Sequence, residues 1–237
     1  GNTQLVKTDL GTLVLNGANT YTGGTAINGG TLRISDDANL GAASGALSFD
    51  GGTLQNTGAI SSARAVTLNA GGGTLQTDAS LALSGAIDGA GGLTKTGAAT
   101  LTLTGNNSYA GGTTISGGTL QLGNGGTSGA IVGDIVNNGA LAVNRSDTLT
   151  LGGTISGSGT VNQIGSGTTV LSGNNSYTGG TTISAGTLQL GAGGAAGRHG
   201  DLAGHGRRPG GLALVHRRRP PAGREQGPDP DGHAALL

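Results

Sequence analysis

Three stretches of this chain repeat one another at fixed separations, and no gap is needed to align them. GNNSYAGGTTISGGTLQLG runs from Gly105 to Gly123, GNNSYTGGTTISAGTLQLG from Gly173 to Gly191, and GANTYTGGTAINGGTLRI from Gly17 to Ile34. Residues 83–123 match residues 151–191 at an offset of 68, with 25 identities in 41 positions. LTKTGAATLTLTG at 93–105 lies over LVKTDLGTLVLNG at 5–17 at an offset of 88. Self-similarity on this scale marks a chain built by stacking one unit on the next, as in solenoids and propellers. Both offsets are close to multiples of about 22, so a unit of roughly 22 residues is expected.

The local pattern selects the kind of unit. ATLTLTG (99–105), TTISGGTLQLG (113–123), RAVTLNAGGGTLQT (64–77) and GALAVNR (139–145) alternate apolar with polar residues. A period of two is a strand signal, and Gly or Asn closes each short run. Gly-Gly, Asn-Gly and Ser-Gly pairs supply the positive φ that tight corners need. Residues 1–190 contain no Glu and show no capped helical periodicity. Large side chains are scarce: one Phe, three Tyr and no Trp or Met among 237 residues, against 53 Gly. Such a chain cannot build a core on aromatics. It must rely on backbone hydrogen bonds repeated turn after turn, with small aliphatic side chains stacked in register. The expected fold is all-β, a right-handed parallel β-helix (solenoid). About eight turns, each of about three strands, would make a rod of roughly 40 Å at the usual strand spacing. Leu and Ile should form inward ladders, and Thr and Asn should pair outside. Each turn depends on its neighbours, because it cannot bury its apolar face alone. Tyr21, Tyr109 and Tyr177 then mark a bend rather than a strip for stacking sugars.

Composition changes near residue 194. All five Pro and all four His lie beyond residue 198. Residues 1–190 carry five Lys or Arg against eight Asp, a net of −3; residues 191–237 carry seven Arg against four acids, a net of +3. The third copy breaks off after TLQLGAGG into an Arg, Pro, Gly, Ala and His mixture. That mixture is what GC-rich DNA encodes in the wrong frame. The expected division is therefore 1–194, a β-helical repeat segment, and 195–237, a disordered tail from a frameshift. The rival reading is a basic, nucleic-acid-binding tail on Arg207, Arg208, Arg217, Arg218 and Arg219. No aromatic residue interleaves with those arginines, so no nucleic-acid partner is expected. The chain does not begin with Met, and it is read as a piece of something longer. No secretory leader and no apolar run of helical span length are visible.

LTKTGAATLTLTGNNSYAGGTTISGGTLQLG resembles the autotransporter-associated β-strand repeat, also called the passenger-associated transport repeat. Lys95–Gly123 and Ser166–Gly191 are good copies, and Lys7–Ile34 is a worn one. Gln163 and Ile164 stand where the motif has Lys and Thr. The resemblance implies a passenger segment of a type V secretion protein of a Gram-negative bacterium. It implies a structural stalk at the cell surface or outer membrane that supports export, with adhesion to a host cell surface or matrix as a further role. In such a protein the partner is its own C-terminal outer-membrane β-barrel, whose aromatic-girdled strands this chain lacks. A truncated, non-functional gene fragment is the alternative, and a β-helical polysaccharide lyase or hydrolase the less favoured one. Exposed strand edges at the rod's ends add the expectation of end-to-end self-association.

With no Cys anywhere and no His before residue 199, triads, general-base His and thiolate or imidazole metal sites are not expected in the repeat region. The acids there are Asp9, Asp36, Asp37, Asp50, Asp78, Asp88, Asp134 and Asp147. Their one tight pair, Asp36–Asp37 beside Arg33, reads as solvated turn residues. No phosphate-loop pattern occurs. Asn106, Asn144 and Asn174 open Asn-x-Ser triplets, read as chance matches. No catalytic, cofactor-binding or metal-ligating set is expected, no cofactor is implied, and the chain is not expected to be an enzyme.

Overall fold

The computed structural model describes residues 2–191. The tail expected at 195–237, the boundary near 194 and the arginines named within the tail lie outside the described residues.

The alternating segments become strands of two to five residues, and every strand pair among the described residues is parallel. They wind into a three-sided solenoid of about nine turns. The first side begins with Leu5–Lys7, Thr25–Ile27, Leu47–Phe49, Val66–Leu68 and Ile87–Asp88. The second side runs through eight strands, from Thr12–Leu15 to Ile155–Ser156. The third takes seven, from Ile60–Ser62 to Thr181–Ile183. In the upper half, Thr148–Leu151, Thr168–Leu171 and Thr187–Leu190 occupy the first side's place in the cyclic order.

Most turns are shorter than the repeat offsets suggest. On the first side Leu5 pairs with Thr25, Thr25 with Leu47, Leu47 with Val66 and Val66 with Ile87. Only the second of those four steps is as long as the offsets imply, and the other three fall short by one to three positions. The expected unit of about 22 residues and count of eight turns are thus corrected: the turn is shorter, and there are about nine of them. The reason lies in the three sides. Four turns above Leu5 sits Ile87, and six residues later the chain reaches Leu93 on the next side. Three turns above Leu93 sits Ile155, and six residues later the chain reaches Val161 on the next side again. Each copy of the repeat is therefore one side further round than the copy before. The first copy lies on sides one and two, the second on two and three, the third on three and one. Offsets of 88 and 68 are whole turns plus a third of a turn.

Inward positions form the expected aliphatic ladders. Leu81, Leu101, Leu120, Leu141 and Val161 stack on the third side, and Leu32, Leu54 and Leu75 on the second. All are buried. Burying each contributes about 1.5–3 kcal/mol. Thr12, Thr31, Thr53, Thr74, Thr94 and Thr114 make an outward ladder over six successive turns of the second side. Asn departs from expectation, because Asn39, Asn56, Asn107, Asn137 and Asn175 are buried. Corners leave main-chain groups facing inward, and a short amide can satisfy a donor and an acceptor at once. Glycine is required where turns press together. Gly118 has φ +62, and a Cβ there would sit 2.5 Å from Gly97 O and 2.6 Å from Ala99 O.

Candidate functional site

The polar groups that the sequence distributes along the chain gather at corners, and each has a structural task. Lys95 is fully buried, and its Nζ donates to Thr96 O (2.8 Å), Gly97 O (2.9 Å) and Gly117 O (3.1 Å). Three carbonyls from two successive turns are tied by one ammonium. Burial pulls the Lys95 pKa down to about 8, and the Asp78 carboxylate opposes that shift. Lys7 fills the same place in the first copy, bonding Asp9 O and Gly29 O and pairing with the exposed Asp9 carboxylate. The ammonium beside it lowers the Asp9 pKa. In the third copy Gln163 replaces the lysine. Its Nε2 reaches Gly165 O (2.8 Å) and Gly167 O (3.2 Å), and its Oε1 accepts from Thr169 (2.5 Å).

The repeat tyrosine is a second corner group. Tyr109 Oη and Thr113 Oγ1 are 2.7 Å apart, Tyr177 and Thr181 2.6 Å, and Tyr21 and Thr25 2.9 Å. Tyr109 and Tyr177 are buried, and burial raises both pKa values, that of Tyr109 to about 12. Their rings serve the core and present no face to a sugar. The repeat asparagine is the third corner group. Asn107 Oδ1 accepts the Ile87 N–H (3.0 Å), and Asn175 Oδ1 accepts the Ile155 N–H (2.8 Å).

A longer loop follows each of the first two copies, at residues 35–46 and 123–134, and a buried arginine pins each one. Arg64 pairs its Nε and Nη2 with the two oxygens of Asp37, and it reaches Asp37 O, Gly41 O, Ala42 O and Gly45 O. Arg145 holds Asp147 in the same two-pronged way and reaches Thr127 O and Gly129 O. The planar guanidinium suits such forks. Asp147 is held below the usual carboxylate range by Arg145.

These contacts place the acidic pair. Asp36 caps the short 3-10 helix Asp37–Leu40, accepting from Ala38 N (2.8 Å). Asp37 is occupied by Arg64. Arg33 points elsewhere, its Nε donating to Gln55 Oε1 (2.8 Å), while Gln55 donates to Asp78 (2.5 Å) in an outward string. The pair and Arg33 are thus not brought together over a cleft. Asp134 accepts from Thr154 N (2.8 Å), which lowers its pKa. Asn106 and Asn174 are exposed and Asn144 is half-buried. Among the described residues no three His, Cys, Asp or Glu approach as metal ligands would, and no helix is long and apolar enough to cross a membrane. A shallow, glycine-floored groove of about 230 Å³ runs beside Thr74, Thr94 and Thr114, and no acid lines it.

The repeat is plain in the sequence, but the tasks of its polar residues are not. The Lys, Asn and Tyr recur in the copies, and that recurrence is the available signal. Nothing local marks Arg64 or Arg145 as loop staples.

The passenger-associated-transport-repeat family model matches residues 5–34, 93–122 and 161–190. Those bounds start and end on the strands that advance by one side per copy. The chain is also similar to an adhesin BmaC autotransporter of Brucella suis biovar 1 (strain 1330), with 62% identity over 159 residues. The alignment covers 66% of this chain and 5% of that protein, so the chain spans a small part of its relative's length. No solved structure matches. A parallel solenoid whose corners are made by three copies of this unit is an autotransporter passenger repeat region, and residues 5–34, 93–122 and 161–190 belong to the passenger-associated transport repeat family.

Proposed function

We propose that this segment is a stalk within the surface-exposed passenger of a longer autotransporter adhesin of a Gram-negative bacterium. The observation that carries the reading is the repeat's construction. Each copy closes its own corner with a buried Lys or Gln and a Tyr–Thr pair, then hands the chain to the next turn in register. Such a unit can fold as soon as it emerges, on the turn already formed, because its contacts are to neighbouring turns. Stacking outside the membrane would favour export of a chain that crosses unfolded, and a chain without Cys meets no oxidative crosslinks on the way. The relative is described as an adhesin, and adhesion to a host surface or matrix is proposed for the whole protein, with this segment supplying reach. The partner for export would be the parent's own outer-membrane barrel. A non-enzymatic role agrees with the engagement of Asp36, Asp37 and Asp147 in caps and staples. We also propose that the stalk ends near residue 194.

The test is display. The segment is placed between a secretion leader and an autotransporter barrel, and exposure on intact cells is read by added protease. The expected result is surface exposure that falls sharply when Lys95 and Tyr109 are both replaced by Ala. Unchanged display of that variant, with its fold lost, would refute a role for turn stacking in export.

A further inference from the structure

Asparagine followed by glycine is prone to lose its side-chain amide, because glycine has no Cβ to keep its main-chain nitrogen away from the asparagine Cγ. Four such pairs occur among the described residues, at Asn16, Asn28, Asn124 and Asn138. Asn16 sits in the first turn, and the other three lie between described turns. In two of those three the attacking nitrogen is occupied. Gly125 donates its N–H to Asn144 O (2.8 Å), and Gly139 donates its N–H to Asn137 Oδ1 (3.2 Å). The Asn138 amide is held as well, its Oδ1 accepting from Ser158 N (3.1 Å) and Ser158 Oγ (3.3 Å).

Asn28 differs from both. It is exposed, and its main-chain N–H is fixed by Lys7 O (2.8 Å) from the turn below. Its side-chain amide and the Gly29 N–H have no hydrogen-bond partner among the described residues. The Lys7 ammonium donates to Gly29 O (3.3 Å), and a cation there favours the amide anion that would attack. The nucleophile is thus free, the target carbonyl is open to water, and the neighbouring charge has the helpful sign.

We propose that Asn28 is a site of spontaneous deamidation directed by the fold. The Gly29 main-chain nitrogen gives up its proton and attacks Asn28 Cγ. The N–Cγ bond forms, the Cγ–Nδ2 bond breaks, and Nδ2 leaves as ammonia with that proton. Water then opens the cyclic imide at either carbonyl, leaving an aspartate or an isoaspartate and an added negative charge. The corner accommodates neither product. Asn28 follows Ile27 and Asp50 follows Phe49, and Ile27 and Phe49 are paired on adjacent turns. An aspartate therefore adds a like charge one turn below Asp50. An isoaspartate lengthens the main chain, yet a Cβ on Gly29 would already lie 2.5 Å from Thr8 O, and one on Gly30 2.3 Å from Asp9 O. Modification loosens the second turn from the first, so the rod ages at a fixed place. The proposal rests on this corner and not on export, so the display experiment can fail without touching it.

The test uses the full chain, kept folded in mildly alkaline buffer beside a sample unfolded in guanidinium chloride. Peptide mass spectrometry follows conversion at each asparagine. In the unfolded sample Asn28, Asn124 and Asn138 should convert at similar rates, since glycine follows each. In the folded protein Asn28 should convert about two- to tenfold faster than Asn124 and Asn138, the factor that a hydrogen bond of ordinary net strength withholds. Conversion of Asn28 no faster than that of the other two would overturn the proposal. Asn28→Ser changes an exposed side chain and removes the reaction. After incubation the urea midpoint of the parent should fall, and that of Asn28→Ser should hold. An equal fall in both proteins would show that Asn28 is not where the rod weakens.

Discussion

Lys95 and Leu101 of the second copy correspond to Gln163 and Thr169 of the third, and to Lys7 and Leu13 of the first. The third copy's Gln163 depends on Thr169, whose hydroxyl donates to it at 2.5 Å inside the core. Moving that pair into the second copy makes a double-mutant cycle with a signed outcome. Lys95→Gln leaves two donors for three carbonyls now held at 2.8, 2.9 and 3.1 Å. It also buries an oxygen against Leu101 with no donor. At about 1–3 kcal/mol per unsatisfied buried group, less the recovered cost of burying a charge, the expected loss is about 2–3 kcal/mol. Leu101→Thr removes apolar volume and buries an unpaired hydroxyl, for about 2–4 kcal/mol. The double variant joins the orphan oxygen to the orphan hydroxyl, so it should recover about 1–2 kcal/mol relative to the sum. Urea unfolding of the four proteins, followed by circular dichroism with slopes compared, gives the coupling. A coupling within about 0.5 kcal/mol of zero would show that the corner does not work as this geometry requires.

Further outcomes follow from the same contacts. Tyr109→Phe orphans the Thr113 hydroxyl and should cost about 1 kcal/mol; Tyr21→Phe, at a half-buried corner, should cost less, and chemical denaturation separates them. Arg64→Ala uncovers four main-chain carbonyls and the Asp37 carboxylate, so limited proteolysis should cut within 35–46 before the rod unfolds. Lys95 holds its proton less tightly folded, at about 8, than unfolded, near 10.5. The unfolded chain therefore binds more protons between those values, and stability should rise with pH across that window. Tyr109, raised to about 12 from 10.0, acts oppositely: its contribution is present below pH 10 and lost as pH climbs toward 12. Urea midpoints should peak near pH 10, and Lys95→Gln should flatten the rising limb alone.

The strand periodicity of ATLTLTG and TTISGGTLQLG and the Gly corners make the fold class legible in the sequence. The aliphatic ladders through Leu101 and Leu120 follow from it. Turn length is not legible, because an offset between equivalent residues counts turns only if equivalent residues share a side. Leu5, Leu93 and Val161 lie on three different sides, which no pattern along one chain reveals. The buried Asn and Lys escape a sequence reading for a related reason. Polarity predicts the surface, but at a corner the main chain offers carbonyls inside, and a Lys95 that finds three of them is satisfied there. Asp36 is an exposed turn residue, as its setting suggests, but Asp37 opens the 3-10 helix half-buried and paired with the distant Arg64, so the solvated reading does not hold for it.

The advance of one side per copy rests on a turn shorter than the repeat spacing implies, and the absence of native Cys allows a direct measurement. Thr94 and Thr114 are outward partners on adjacent turns, within the about 4.4–6.8 Å between Cα atoms that a disulfide spans. Thr94 and Ser116, two positions further along, are about 8 Å apart, beyond that reach. Under mild oxidation the Thr94→Cys, Thr114→Cys protein should close its disulfide, and the Thr94→Cys, Ser116→Cys protein should not. Closure of the second pair in place of the first would mean a turn two positions longer, with the copies of the repeat not advancing round the rod as described.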